Sequence, residues 1–131
     1  AELARALGVA ERAHLVGWRD DAPAVVAASD VVLLPSRWEG LPYIVLEAMA
    51  AARPVVASRV DGAVELVEEG RTGALVPIED PGALSAAVAR ILALPEQERE
   101  LMGAAGRERV LGRFSVDRMV EGLLAVYREV A

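Results

Sequence analysis

Residues 30–58 read "DVVLLPSRWEGLPYIVLEAMAAARPVVAS", and the change of texture along that run decides the fold. A β-branched run at 30–34 gives way to a loop rich in Pro, Gly and polar residues, then to an Ala- and Leu-rich stretch at 43–52, then to a second β-branched run at 54–58. Short continuous apolar runs separated by a helical stretch define a β-α-β unit, and their lack of alternation predicts parallel strands covered on both faces. Two carboxylates stand in this apolar run, Glu39 and Glu47, and the second interrupts "YIVLEAMAAA".

Outward from this unit the pattern repeats. Residues 14–17 ("HLVG") and 72–76 ("TGALV") read as further strands, giving an α/β fold with about four parallel strands. Helices are predicted near 22–28, 43–52 and 62–69, the last stopped by Gly70, which suits a left-handed cap. Beyond Val76 three C-terminal helices follow, near 81–93, 95–112 and 115–130, with Pro81 and Pro95 placed as first-turn prolines behind their caps. Leu84, Val88, Ile91 and Leu92 recur at helical spacing, as do Met119, Leu123, Val126 and Val130, so each helix is expected to lay one face on the sheet.

Composition narrows the function. At 131 residues, 54% of them apolar and 26% charged, the chain fits one domain with its own core. The absence of cysteine excludes disulfides and thiolate metal sites and favours a reducing, cytoplasmic compartment. No apolar run is long enough to span a membrane, and the first residues lack the layout of a signal peptide. A net charge of −6 without a basic cluster argues against nucleic acid as a partner. All 14 basic residues are arginine, so any lysine-dependent chemistry must come from outside this chain. The opening "AELARALG" reads as the tail of a helix already under way, which predicts a partial domain whose earlier portion is absent.

A loop between a parallel strand and the next helix lies at the carboxyl end of the sheet, where open α/β folds bind ligands. With Pro42 at the helix start, the amides of Tyr43 and Ile44 point outward without intrahelical partners and suit a phosphate. Glu47, about a turn and a half further along, is expected to be buried in a helix apolar all round, where an unbonded carboxylate costs several kcal/mol. Two ribose hydroxyls would satisfy it. Glu39, in the loop, would then meet whatever the phosphate carries.

The stretch "PSRWEGLPYIVLEAMAAARPVVAS" followed by "DGAVELVEEGRTGALVP" resembles the C-terminal domain of the retaining, family 4 glycosyltransferases of the GT-B architecture, marked by Glu, seven residues, Glu. The resemblance runs from about residue 14 to the end and implies a Rossmann-like domain that binds a UDP-, GDP- or ADP-sugar as donor, with no obligatory metal. It implies that Glu47 bonds the donor ribose and that Glu39 contacts the donor sugar. It further implies that the amides of Tyr43 and Ile44 hold the phosphates, those of Gly40 and Leu41 approach the sugar, and Gly17, Trp18 and Arg19 line the base pocket. The family's arginine and lysine for the leaving diphosphate would lie upstream of Ala1, together with the acceptor-binding N-terminal domain. The chain alone is therefore not expected to transfer sugar. Peripheral attachment of the intact enzyme to the inner face of a membrane, and association of the partial domain with itself, stay open.

Two departures from the family pattern stand out. Pro42 occupies a usual glycine position and removes one amide donor, and Ala52 replaces a glycine that closes the helix. A left-handed backbone at Ala52 would cost on the order of 1 kcal/mol. Blander roles are assigned to His14, to Trp18 and Trp38 as packing residues, to Arg37 as a solvated loop residue and to the acidic 67–70 segment as a solvated helix end. Asp61 and Gly62 resemble a loop that can face donor or acceptor. The competing functions are a nucleotide-sugar 2-epimerase of the same architecture and a non-catalytic α/β binding module.

Overall fold

In the computed structural model, described for residues 1–130, strand β2 (Val55–Ser58) runs between β1 (Val32–Leu34) and β3 (Gly73–Val76), all parallel. Val55 pairs with Val32 on one side and Gly73 on the other. Every residue of β2 is buried, as a two-sided parallel strand requires. Successive side chains point to opposite faces. Val55 and Ala57 therefore join Leu34, Val45, Ala48, Met49 and Leu66 in one core, while Val56 joins Ala74, Val76, Ala87 and Ile91 in another.

The helices divide accordingly. Short α1 (Glu2–Ala6) and a single 3₁₀ turn (Ala10–Arg12) lead to α2 (Ala22–Ala28). The crossover helices α3 (Tyr43–Ala50) and α4 (Asp61–Leu66) supply Val45, Ala48, Met49, Ala63 and Leu66 to the first core. The opposite face is covered by α5 (Pro81–Leu92) through Ala87 and Ile91. Pro81 follows an Asp80 cap whose Oδ1 accepts from the Ala83 amide at 2.8 Å, the predicted arrangement. The long α6 (Glu96–Arg113) lies across α3, with Gly106 against the Met49 side chain and Val110 in the first core. The chain ends in α7 (Val116–Val130). Among the described residues no helix is long and apolar enough to cross a membrane.

Several boundaries differ from the sequence reading. Residues 14–17 form no strand, and Leu15 and Val16 are exposed. A strand needs a neighbour for its backbone groups, and residues 14–17 pair with none of the described strands. Among the described residues the sheet has three strands. Pro95 caps α6 instead of entering it. The crossover helix α4 stops at Leu66, where Val67 turns extended, and left-handed Gly70 (φ 75°) shapes the turn into β3 instead of the helix end. The face of α7 carrying Met119, Leu123, Val126 and Val130 is exposed, since no described element lies opposite it. Amphipathic spacing identifies a face that suits burial but does not supply the surface that buries it. Ala52 does adopt the left-handed region, at φ 55°.

Candidate functional site

The carboxyl ends of the strands, Leu34, Ser58 and Val76, open onto three loops on one rim of the sheet, and the site is built there. Pro42 is the N-cap of α3 in an extended conformation (ψ 104°), one position earlier than a first-turn proline, so Tyr43 is the first helical residue. Its carbonyl accepts from the Val45 amide at 3.0 Å. The amides of Gly40, Leu41, Tyr43 and Ile44 donate no hydrogen bond among the described residues. Four free donors thus lead into the positive end of the α3 dipole.

Glu39 is half-buried and accepts from the Ser36 hydroxyl at 2.7 Å, while its carbonyl accepts from the Gly62 amide at 3.3 Å. Glu47 is exposed, which corrects the expectation of burial. The inward face of α3 carries Val45, Ala48 and Met49, and the outward face carries Tyr43, Glu47 and Ala50 at helical spacing. The Glu47 carboxylate makes no ion pair or hydrogen bond among the described residues, while its backbone carbonyl accepts from the Ala51 amide at 2.9 Å. Its carboxylate is therefore solvated without a ligand and free to accept from one. Tyr43 and Glu47, four residues apart, place their Cβ atoms about 6 Å from each other on the same face.

Beside Glu39 a cavity of about 180 Å³ is lined by Arg37, Trp38, Glu39, Arg59, Asp61 and Ile78. Arg37 pairs with Glu79 at 2.6 Å, both largely exposed. A larger hollow of about 490 Å³ lies at the opposite end of the sheet, below Gly73 between α5 and α6. Its arginines are already engaged, Arg71 with Glu68 at 2.7 Å and Arg90 with Glu69 at 3.5 Å, and it holds none of the predicted site residues.

The segment Gly17, Trp18 and Arg19 lies in the loop before α2, and α2 packs on α3. Gly17 is left-handed (φ 63°), and Trp18 is 92% exposed with its Nε1 donating to Asp20 at 3.2 Å. Arg19 forks onto Asp21 at 2.7 and 2.5 Å, and the guanidinium holds the Asp21 carboxyl below the usual carboxylate range. No hydrogen bond among the described residues joins this segment to the Glu47 carboxylate.

Glu39 and the amides of Gly40, Leu41, Tyr43 and Ile44 lie in one segment running from the β1–α3 loop into the first turn of α3, and Ser36 and Gly62 bond to Glu39 there. The signal for Ser36 was its position in the same loop, three residues before Glu39. Gly62 was marked only by the resemblance of its loop to one that can face donor or acceptor, with nothing local to point to its contact with the Glu39 loop.

Residues 1–94 match the family model of glycosyl transferases group 1. The chain belongs to that family. It is 40% identical to the D-inositol 3-phosphate glycosyltransferase of Salinispora tropica over 130 residues, covering 98% of this chain and 27% of the relative. To the alpha-maltose-1-phosphate synthase of Mycolicibacterium smegmatis it is 42% identical over 113 residues, covering 82% of the chain and 29% of the relative. Among solved structures, the sucrose-phosphate synthase of Thermosynechococcus elongatus superposes with a TM-score of 0.88 at 35% identity, over 98% of this chain and 33% of that one. Anabaena HepE in complex with UDP superposes with a TM-score of 0.91 at 26% identity, over 98% and 35%. HepE has also been solved with UDP-glucose. The fold is thus the Rossmann-like α/β fold of GT-B glycosyltransferases, and the chain spans between a quarter and a third of the length of these relatives.

Proposed function

We propose that this chain is the donor-binding part of a retaining, family 4 glycosyltransferase that moves a sugar from a nucleotide diphosphate to an acceptor hydroxyl. The observation that carries the reading is the set of free amides at Gly40, Leu41, Tyr43 and Ile44 entering the helix whose exposed face carries the unpaired Glu47 carboxylate. The solved complexes of HepE with UDP and UDP-glucose, on a domain of the same fold, support it.

In this reading the diphosphate sits at the tip of α3, where the Tyr43 and Ile44 amides and the helix dipole meet its charge. Glu47 accepts from the two ribose hydroxyls, and Gly17, Trp18 and Arg19 border the base. Glu39 and the amides of Gly40 and Leu41 face the sugar over the cavity beside Glu39. As the glycosidic bond to the diphosphate breaks, negative charge grows on the leaving oxygen, and preoriented amides stabilise it without reorganising. No obligatory metal is invoked. The arginine and lysine that would complete charge neutralisation, and the acceptor site, belong to the rest of the intact enzyme, and this chain alone does not turn over. The intact enzyme works in the cytoplasm.

Calorimetry of the intact protein with UDP, GDP and ADP tests the reading. One nucleotide should bind, and Glu47→Ala should weaken it about a hundredfold or more, the loss of two hydrogen bonds to a charged acceptor. Absence of binding by all three, or an unchanged affinity in the variant, would sink it.

A further inference from the structure

We propose that Gly62, the second residue of α4, is a positioning residue that sets where Glu39 and the Gly40 and Leu41 amides stand. The inference rests on the donor-site reading above and assigns a role to a residue outside the predicted site.

The requirement at Gly62 is one of space. It is buried, its φ is not in the left-handed region, and a methyl group there would fall inside van der Waals contact of the Gly40 carbonyl and 2.8 Å from Pro42 Cδ. Those are backbone and ring atoms, which cannot rotate aside. Gly40 has open space around it, so the close approach is dictated from the α4 side. In the same contact the Gly62 amide donates to the Glu39 carbonyl at 3.3 Å.

The wall behind this contact is rigid. Val60, Ala63 and Leu66 anchor α4 in the first core, and the turn before it is tied to the sheet by the Arg59 amide donating to the Val76 carbonyl at 2.8 Å. The other ties on the glutamate loop are weaker as anchors. The Ser36 bond to Glu39 lies within the loop itself, and the Arg37 pair with Glu79 is exposed and open to screening. The buried connection between this loop and the strand-end framework therefore runs through Gly62. By contrast, Tyr43, Ile44 and Glu47 ride on α3, which is fixed by Val45, Ala48 and Met49. A side chain at position 62 should move the sugar-facing half of the site and leave the nucleotide-facing half in place. Displacements of about 1 Å are enough to cost large factors in a positioned site.

The test compares UDP-glucose and UDP, or the GDP or ADP pair if that base is the one bound, by calorimetry on the intact protein. Gly62→Ala should weaken UDP-glucose about tenfold or more while UDP changes less than threefold, and in a Glu39→Ala background the same substitution should cost a smaller factor, the part carried by the Gly40 and Leu41 amides. Gly103→Ala supplies a control, because a methyl there would collide with the Ala52 carbonyl at the distant end of α3. It should lower the melting temperature and leave both affinities within threefold. If Gly62→Ala does not fold, replacing Gly62 by glycolate through an ester bond removes the amide donor without adding an atom, and should show the same selective loss. Equal weakening of UDP and UDP-glucose, or a full loss persisting without Glu39, would overturn the positioning role alone. A wild-type protein that binds none of the nucleotides would overturn both this role and the donor reading.

Discussion

Ser36 donates its hydroxyl to the Glu39 carboxylate at 2.7 Å, and that bond fixes the direction of a side chain otherwise held only by its backbone. Glu39 is half-buried in a loop with no ion pair, so its orientation costs side-chain entropy that Ser36 offsets in advance of any ligand. Ser36→Ala should weaken binding of the sugar nucleotide about three- to tenfold, equivalent to one hydrogen bond of about 1 kcal/mol, and leave the bare nucleotide unchanged. Equal effects on both ligands would show that Ser36 supports the loop as a whole and not the carboxylate.

Arg109 of α6 closes the far end of α4. Its guanidinium donates to the Leu66 carbonyl at 2.7 Å and to the Glu65 carbonyl at 2.8 Å, pairs with Glu68, and lies 5.8 Å from the centre of the Phe114 ring. The last carbonyls of a helix have no intrahelical donors, and a cation there also suits the dipole. Arg109→Met keeps much of the apolar stem but strands those carbonyls, so urea titration should show a loss of about 2–3 kcal/mol. A loss below about 0.5 kcal/mol would mean that water replaces the guanidinium without penalty.

Ala52 sits at φ 55°, a region that its Cβ disfavours. Ala52→Gly should raise stability by up to about 1 kcal/mol, the relief being partly offset by the greater freedom of glycine in the unfolded chain. Thermal melting of the two proteins side by side decides it, and a lower melting temperature for the variant would show that packing of the methyl outweighs the strain.

Much of this was legible in residues 30–58 because two signals there agree. The β-branched runs became β1 and β2, and the spacing from Leu34 to Tyr43 placed the free amides at the sheet rim. The Asp80 and Pro81 pair likewise announced the start of α5, since a cap and a first-turn proline are local chemistry. What failed was the reading of environment from composition. "HLVG" has the residues of a strand, yet pairing is decided by a neighbour that no local pattern can provide. Glu47 looked buried because α3 is apolar all round, but an apolar residue such as Tyr43 or Ala50 can face solvent at little cost, so the exposed stripe at 43, 47 and 50 was hidden among small and aromatic residues. For Gly62 the resemblance marked the loop but not the contact. Its importance lies in a through-space approach to Gly40, and such distances are properties of the assembled chain.

The complete burial of β2 ties the two cores into one cooperative unit. Val55 and Ala57 serve the core under α3, and Val56 serves the core under α5, so neither core can open without exposing the same four-residue strand. Melting of the sheet and its covering helices should therefore be a single event, with the β2 amides exchanging their hydrogens only through global opening. α1 and α7, which bury no residue, stand outside that unit and should exchange freely while the sheet rim and α3 remain intact.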